Sequence, residues 1–378
     1  MSVIFKHPTR LWSATVRLIP LFALLFCLPA LAKEATVVKV HNWTDYIDET
    51  VLADFSKATG IQVEYSTFES AEELEGKLAE RNSGYDVVVP SANFLAYARR
   101  HKLFRPLDKS RIANLAGLDP QLMRKLERSD PSNEYGVPYL WGTTIFAYRS
   151  EAIAKRLGAS APTDSWRLLM DPATAAELAD CGVAWLDSGI EVIPELLRYG
   201  GSIANSLNPT DYLKAEKHLK LLLPHIRYFG GENIIGDLAS GKLCAAYSYS
   251  GDLAQAREQA KANGIGDLIL VLPKEGAEMW VDLMAIPVDA PHPDNAHVFI
   301  NYLLQPAVMA RISNAVSYPN AVPASLPLID EAVKQDPVLF PSKEAQAKLY
   351  TLPVLTDAVA GISERIWASV RKGKTTDN

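Results

Sequence analysis

Residues 35–89 read ATVVKVHNWTDYIDETVLADFSKATGIQVEYSTFESAEELEGKLAERNSGYDVVV and carry the clearest signal for the fold. Its β-branched runs and its apolar residues at helical spacing predict, in order, strand 35–41, helix 46–59, strand 61–65, helix 71–81 and strand 86–89. Gly60 ends the first helix. This βαβαβ order predicts an α/β fold, in which a largely parallel sheet is covered by helices and ligands bind beyond the carboxyl ends of the strands.

The rest of the chain continues the α/β pattern. A second α/β region spans about 144–272, with strands predicted at 182–186 and 242–249. A further strand at 282–287 returns to the first region, and a helix at 296–304 follows it.

A chain of 378 residues exceeds the size that one core usually reaches, so two lobes are expected. No internal repeat or low-complexity linker separates them. The predicted first lobe comprises 33–141 and about 275–340, and the second comprises about 142–274 and 341–378. Lobes joined by strand crossovers would enclose a cleft that closes by a hinge motion.

The amino-terminal segment has the features of a secretory leader. Lys6, Arg10 and Arg17 form a basic start, residues 18–31 are almost entirely apolar, and Ala30-Leu31-Ala32 is a small-x-small cleavage pattern. We expect residues 1–32 to be a signal peptide cleaved after Ala32, with the mature protein in the periplasm. Two alternatives stay open: an uncleaved anchor, although the apolar run is short for a span, and a lipoprotein attached at Cys27.

Charge and cysteines narrow the class of protein. The leader holds three of the 38 basic residues and none of the 44 acids, so the mature net charge is 35 − 44 = −9. An acidic field attracts small cations and repels nucleic acid, although solubility alone would also explain it. Cys181 and Cys244 remain after cleavage, and an oxidising compartment predicts a disulfide between them.

Motifs for catalysis and metal binding are missing from the sequence. It contains no CxxC, HExxH, GxSxG, P-loop or GxGxxG pattern. We therefore expect no catalytic residues, no metal site and no cofactor. The segments 244–252, CAAYSYSGD, and 278–282, EMWVD, instead place acids beside aromatic rings, a combination suited to an organic cation.

Seven segments carry a family resemblance: NWTDYI at 42–47, LEGKL at 74–78, YDVVVPS at 85–91, CGV at 181–183, YSGD at 249–252, PKEG at 273–276 and AIP at 285–287. In their order and spacing, the chain resembles the periplasmic polyamine-binding proteins of bacterial ABC transporters, the putrescine and spermidine receptors. The resemblance covers nearly all of the mature chain. It implies the two-lobed type II periplasmic fold and an importer subunit that binds a polyamine and delivers it to permease subunits in the inner membrane. We expect a monomer.

The resemblance also implies a ligand-binding set, carried over position by position: Trp43, Thr44, Asp45, Tyr46, Ser91, Glu191, Tyr249, Asp252, Trp280, Asp282 and Tyr318. A polyamine is an alkyl chain with ammonium groups. Its receptor therefore needs aromatic walls for the methylenes and a carboxylate near each charge.

Each of these residues also has an ordinary structural interpretation. Asp45 could cap the helix beginning near Tyr46, and Ser91 could cap the helix that follows it. Glu191 could be a solvated acid at a helix start, and Trp43 and Trp280 could be core aromatics.

The departures from the family pattern concern the preferred amine. Gly230-Gly231 stands where many members have hydroxyl residues, and Tyr249 and Trp280 replace other aromatics found in some members. The indole at 280 and Asn93 favour spermidine, with putrescine second. Two other functions stay open, a binding module that reports to a sensor and an exported enzyme.

Overall fold

The computed structural model describes Ser2 and residues 36–69, 71–204, 206–230, 232–352 and 355–375. Apart from Ser2, the predicted leader lies outside these residues, as do its cleavage position after Ala32 and Gly231.

Nine strands occur in the described part of the chain: β1 Val37–Trp43, β2 Gln62–Phe68, β3 Val87–Val88, β4 Gly136–Arg149, β5 Val183–Trp185, β6 Tyr228–Phe229, β7 Ala245–Tyr249, β8 Leu268–Val271 and β9 Glu278–Ala285.

The α-helices of the same residues are α1 Glu49–Thr59, α2 Ala71–Ala79, α3 Ala92–Arg100, α4 Pro120–Leu126, α5 Ser150–Leu157, α6 Arg167–Met170, α7 Pro172–Leu178, α8 Gly189–Tyr199, α9 Pro209–Leu222, α10 Glu232–Ala239, α11 Ser250–Ala262, α12 Pro293–Leu303, α13 Pro306–Val316, α14 Glu331–Lys334, α15 Lys343–Gln346 and α16 Asp357–Thr375.

The sheet is mixed, so the expectation of a largely parallel sheet is wrong for its centre. Strands follow the order β2-β1-β3-β9-β4-β7-β5-β6, with β8 paired to β4. The βαβαβ start forms parallel pairs, as do β5, β6 and β7. Between these wings, β9 and β4 run antiparallel to each other and to their neighbours. A parallel pair of strands needs a crossover connection, as in a βαβ unit. β4 and β9 lie between the two wings and do not belong to such a unit, so they pair antiparallel with their neighbours.

The longest strand, β4, was not predicted from the sequence, and it links two separate cores. Buried apolar residues of 38–140 and 279–322 form one cluster, and those of 145–277 and 339–370 form a second. β4 contributes Leu140 to the first cluster and Ile145 to the second. The α/β fold is confirmed, and the two clusters support the predicted lobes, whose boundaries stay a prediction.

Two element boundaries differ from the prediction for local reasons. Helix α1 begins at Glu49 and not near Tyr46, because Asp48 is the N-cap and its carboxylate accepts the amide of Thr50. Its end is as predicted, at Gly60, which adopts φ 74°. Strand β9 spans Glu278–Ala285, and so begins four residues before the predicted 282–287 strand.

The predicted disulfide between Cys181 and Cys244 is confirmed, with a sequence separation of 63 residues. It ties the turn after α7 to the start of β7. No helix within the described ranges is long and apolar enough to cross a membrane.

Candidate ligand-binding site

One face of β9 carries the first part of the site. Alternation along a strand places Trp280 and Asp282 on the same face. Asp282 is 7% exposed, and its Oδ2 accepts the hydroxyl of Tyr46 at 2.8 Å. Ser91 lies opposite Asp282 in an isolated β-bridge. Opposite Asp282 on its other side, the register of β4 shifts between Pro138 and Trp141, an irregularity of the kind that re-aims side chains next to sites.

The aromatic side chains form a continuous wall. The ring of Trp280 meets Tyr249 edge-on, with centroids 5.9 Å apart, and meets Tyr318 at 5.0 Å. Tyr318 in turn contacts Tyr46 at 5.6 Å. The rings of Tyr249 and Tyr318 therefore both contact Trp280. The Trp280 side chain is partly buried in the site and not enclosed in a core.

Two glycines make room for this wall. A Cβ at Gly142, on β4, would lie 2.4 Å from the Trp280 ring. A Cβ at Gly251, in the first turn of α11, would lie 2.3 Å from Cζ of Tyr318. Both rings therefore pack directly against backbone, which fixes their positions.

Two further carboxyl groups reach the wall from helices. Asp252, in the first turn of α11, accepts the hydroxyl of Tyr318 at 3.2 Å. Glu191, in the first turn of α8, accepts the hydroxyl of Tyr249 at 2.9 Å and that of Thr144 at 3.1 Å. The expectation that Glu191 could be a solvated acid is wrong, because it is 9% exposed and bonded inside the fold.

Burial raises the pKa of all three carboxyl groups. Burial raises the pKa of Asp282 to about 7, against a smaller lowering by the Tyr46 hydroxyl. Burial also raises the pKa of Glu191 to about 7, and the charges of Asp282 and Asp252 add to that rise. Burial likewise raises the pKa of Asp252 to about 6, with a contribution from Asp45. None of the ion pairs between described residues involves Asp252, Asp282 or Glu191, so their negative charges lack a protein counterion there.

The loop after β1 lies at the margin of the site. Trp43 packs against Phe68 with centroids 4.4 Å apart, and the amide of Thr44 donates to the Phe68 carbonyl at 3.1 Å. Asp45 is exposed with φ 52°, and its charge acts on Asp252. The expectation that Asp45 could cap α1 is wrong, since Asp48 does so.

Ser91 has a structural role that the sequence indicated. It is the N-cap of α3, and its hydroxyl accepts the amide of Phe94 at 3.3 Å. Ser91, Asn93 and Trp280 also line a cavity of about 270 Å³, as do Lys125 and Arg128. The carboxyl groups do not line this cavity, so we assign the site from their geometry and treat the cavity as a neighbouring space.

Four residues around the site are absent from the predicted ligand-binding set, although one of them, Glu278, begins a segment whose acids and aromatic rings already indicated a cation site. Tyr139 donates to the carbonyl of Tyr46 at 2.8 Å, and the Thr144 hydroxyl donates to Glu191. Both lie on β4, whose β-branched and aromatic residues are a strand signal that could have found it. Glu195 and Glu278 are also buried here. Their spacing could have found them, because Glu195 follows Glu191 by one helical turn and Glu278 precedes Trp280 by two strand residues.

An α/β fold with two cores, and carboxyl groups set among aromatic rings, are features of a solute-binding protein. The chain belongs to the bacterial extracellular solute-binding protein family, whose model matches residues 50–341. It is a substrate-binding protein and not an enzyme. No group of side chains suited to a metal ion occurs in the part of the chain that the structure describes.

The chain is similar to several periplasmic binding proteins. The chain is 40% identical to the putrescine-binding periplasmic protein SpuD of Pseudomonas aeruginosa, over 91% of this chain and 94% of that protein. It is 41% identical to the putrescine-binding periplasmic protein PotF of Escherichia coli, again over 91% and 94%. Among solved structures, it is similar to the spermidine/putrescine ABC transporter substrate-binding protein PotD of Streptococcus pneumoniae, with a TM-score of 0.74, 25% identity and coverage of 90% and 99%.

Proposed function

We propose that this protein binds a polyamine at the site of Asp252, Asp282 and Glu191. The observation that carries the proposal is a set of three carboxyl groups without a protein counterion around an aromatic wall; Asp282 and Glu191 are buried and Asp252 is half-buried. Ammonium groups would supply the missing positive charge, and the rings of Trp280 and Tyr318 would contact the methylenes. The names of the relatives, putrescine-binding and spermidine/putrescine, support the same ligand class.

The tyrosine hydroxyls orient the carboxylates for this task. A carboxylate has about four acceptor positions, and a single tyrosine bond to Asp252 or Asp282 leaves the others for an ammonium group. An unpaired buried charge costs several kcal/mol, so a neutral or monocationic amine would leave at least one carboxylate uncompensated. The site therefore selects against such amines.

Both putrescine and spermidine are candidates for the natural ligand. The preference for spermidine inferred from Trp280 and Asn93 stays a prediction. The names of the two relatives at 40% and 41% identity favour putrescine instead.

The remaining proposals concern export and delivery. We infer that the leader is cleaved after Ala32, that the mature protein is a periplasmic monomer, and that it passes its ligand to ABC permease subunits without binding nucleic acid. The leader pattern, the acidic charge and the family membership support this.

Calorimetric titration of putrescine and spermidine into wild type, Asp252→Asn and Asp282→Asn tests the site. Asparagine keeps an oxygen for the tyrosine hydroxyl and removes the charge. Each variant is expected to bind at least tenfold more weakly, about 1.4 kcal/mol. Asp267→Asn, at an exposed aspartate, is the matched control and should bind as wild type does. Wild-type affinity in both site variants would contradict the assignment.

A further inference from the structure

The face of β9 that carries the site continues for one more acid. Glu278 lies two residues before Trp280 and four before Asp282, so all three side chains share a face. Four residues of strand span about 13 Å. The β4 residue paired with Glu278 is Thr144, whose hydroxyl bonds Glu191. Along this face of the sheet, starting from Asp282, Glu278 is therefore the acid that follows Glu191.

A second acid reaches the same place from α8. Glu195 lies four residues after Glu191, one turn further along the same helix face. Its carboxylate accepts the hydroxyl of Tyr350. Tyr350 is itself paired with Glu278 in an isolated β-bridge. Glu195 and Glu278 thus converge beside Tyr350.

Both acids are almost wholly buried and incompletely bonded. Glu195 is 0% exposed and Glu278 is 2% exposed. The Oε2 atom of each has no hydrogen-bond partner among the residues that the structure describes. Burial raises the pKa of Glu195 to about 7 and that of Glu278 well above its ordinary value, and the charges of Glu191 and Glu195 raise the latter further.

A cation beside these acids, Arg198, is already engaged. Arg198 lies over the ring of Tyr350, 4.6 Å from its centroid, and donates to the carbonyl of Glu275. It lowers the pKa of Glu195 in part, but it forms no ion pair with Glu195 or Glu278 in the described coordinates. Buried carboxyl oxygens without donors cost free energy unless a ligand supplies the donors.

We propose that Glu278 and Glu195 form an additional anionic subsite, which binds the third positive group of a linear triamine whose other two ammonium groups lie at Asp252, Asp282 and Glu191. This rests on the proposed function and adds selectivity to it. A diamine such as putrescine occupies only the site of Asp252, Asp282 and Glu191, whereas the longer chain of spermidine also reaches Glu195 and Glu278. Glu278 is therefore a specificity-determining residue.

The test compares the affinities of putrescine and spermidine by calorimetry for wild type, Glu278→Gln and Glu195→Gln. Glutamine keeps the volume and removes the charge. In each variant, the affinity for spermidine is expected to fall at least tenfold more than the affinity for putrescine. Glu151→Gln, at an exposed glutamate in the first turn of α5, is the matched control and should leave the ratio unchanged.

The outcomes separate the two proposals. An unchanged ratio in both variants, or an equal loss for both amines, overturns the additional subsite while the polyamine site stands. Wild-type protein that binds neither amine overturns both. If neither variant folds, wild-type protein titrated with the two isomers of spermidine acetylated at one end or the other decides: a loss of at least tenfold for both isomers supports the subsite, and unchanged affinity for either isomer overturns it.

Discussion

At the scale of the residue, each site carboxyl is held by a tyrosine hydroxyl: Asp282 by Tyr46, Asp252 by Tyr318 and Glu191 by Tyr249. These bonds favour the ionised carboxyl, whereas burial favours the protonated one, and burial is the larger effect at all three. In the ligand-free protein, the tyrosine hydroxyls thus keep the carboxyl groups oriented, while burial holds their pKa values at about 6 to about 7.

Trp280→Phe tests whether the indole contributes to selectivity. Phenylalanine keeps an aromatic face but removes contact area between Tyr249 and Tyr318, together with the Nε1 donor, which has no hydrogen-bond partner in the described residues. We expect the ratio of affinities to shift toward putrescine by roughly 1 kcal/mol. Calorimetry with both amines measures this. An equal loss for both, or a shift toward spermidine, would place selectivity elsewhere.

Gly251→Ala tests the seat of Tyr318. The new Cβ would lie 2.3 Å from the ring, so Tyr318 must move and its bond to Asp252 is lost. We expect polyamine affinity to fall at least tenfold, about 1.4 kcal/mol, while the protein stays folded by circular dichroism. Gly236→Ala, where no atom lies within 4 Å of the added Cβ, is the control. Unchanged binding in Gly251→Ala would mean that Tyr318 does not need this position.

At the scale of the element, the strand β4 explains how the site is assembled. It passes from one core to the other, pairs with β9 on one edge and with β7 on the other, and shifts register opposite Asp282. Tyr249 ends β7 and Trp280 lies in β9, so the two rings meet across β4. The wall therefore depends on strand pairing, and not on contacts local in sequence.

The disulfide is the covalent tie at this scale. It joins Cys181, after α7, to Cys244, before β7, and closes a loop of 63 residues. Replacing both cysteines by alanine is expected to lower the free energy of unfolding by about 4 kcal/mol, because the unfolded chain regains the entropy of that loop. Urea unfolding of the oxidised wild type and the double variant measures it. Equal midpoints would contradict the expectation.

At the scale of the whole molecule, the buried acids couple stability to pH. Their folded pKa values are raised, so the native state holds more protons than the unfolded chain between the ordinary values near 4 and about 7. The contribution of these carboxyl groups to the free energy of unfolding is fully present below pH 4 and is lost as pH rises to about 7. Each fully engaged carboxyl contributes a slope of up to about 1.4 kcal/mol per pH unit.

Thermal unfolding of the ligand-free protein between pH 5 and 8 should therefore show a falling midpoint. Putrescine should raise the midpoint more at pH 8 than at pH 5, because an ammonium group binds the ionised carboxylates. The double variant Asp282→Asn, Glu191→Gln should flatten the pH dependence. A midpoint that rises with pH across this window in wild type, or an equal slope in the double variant, would contradict the assignment of these groups.

The sequence by itself determined the alternating elements at its start, the α/β class, the cysteine pair and the family, because periodicity, turn residues and ordered short segments are local properties. It also identified the acids and aromatics, such as Asp282 and Trp280, through the resemblance. Only the tertiary structure decided that the centre of the sheet is antiparallel, that Asp48 and not Asp45 caps α1, and that Glu195 and Glu278 lie beside Glu191. The position of the cap is a local contact, between Asp48 and the amide of Thr50, but the antiparallel centre depends on strand pairing between residues more than a hundred positions apart. That pairing also buries Glu278, which the sequence alone does not distinguish from an exposed acid.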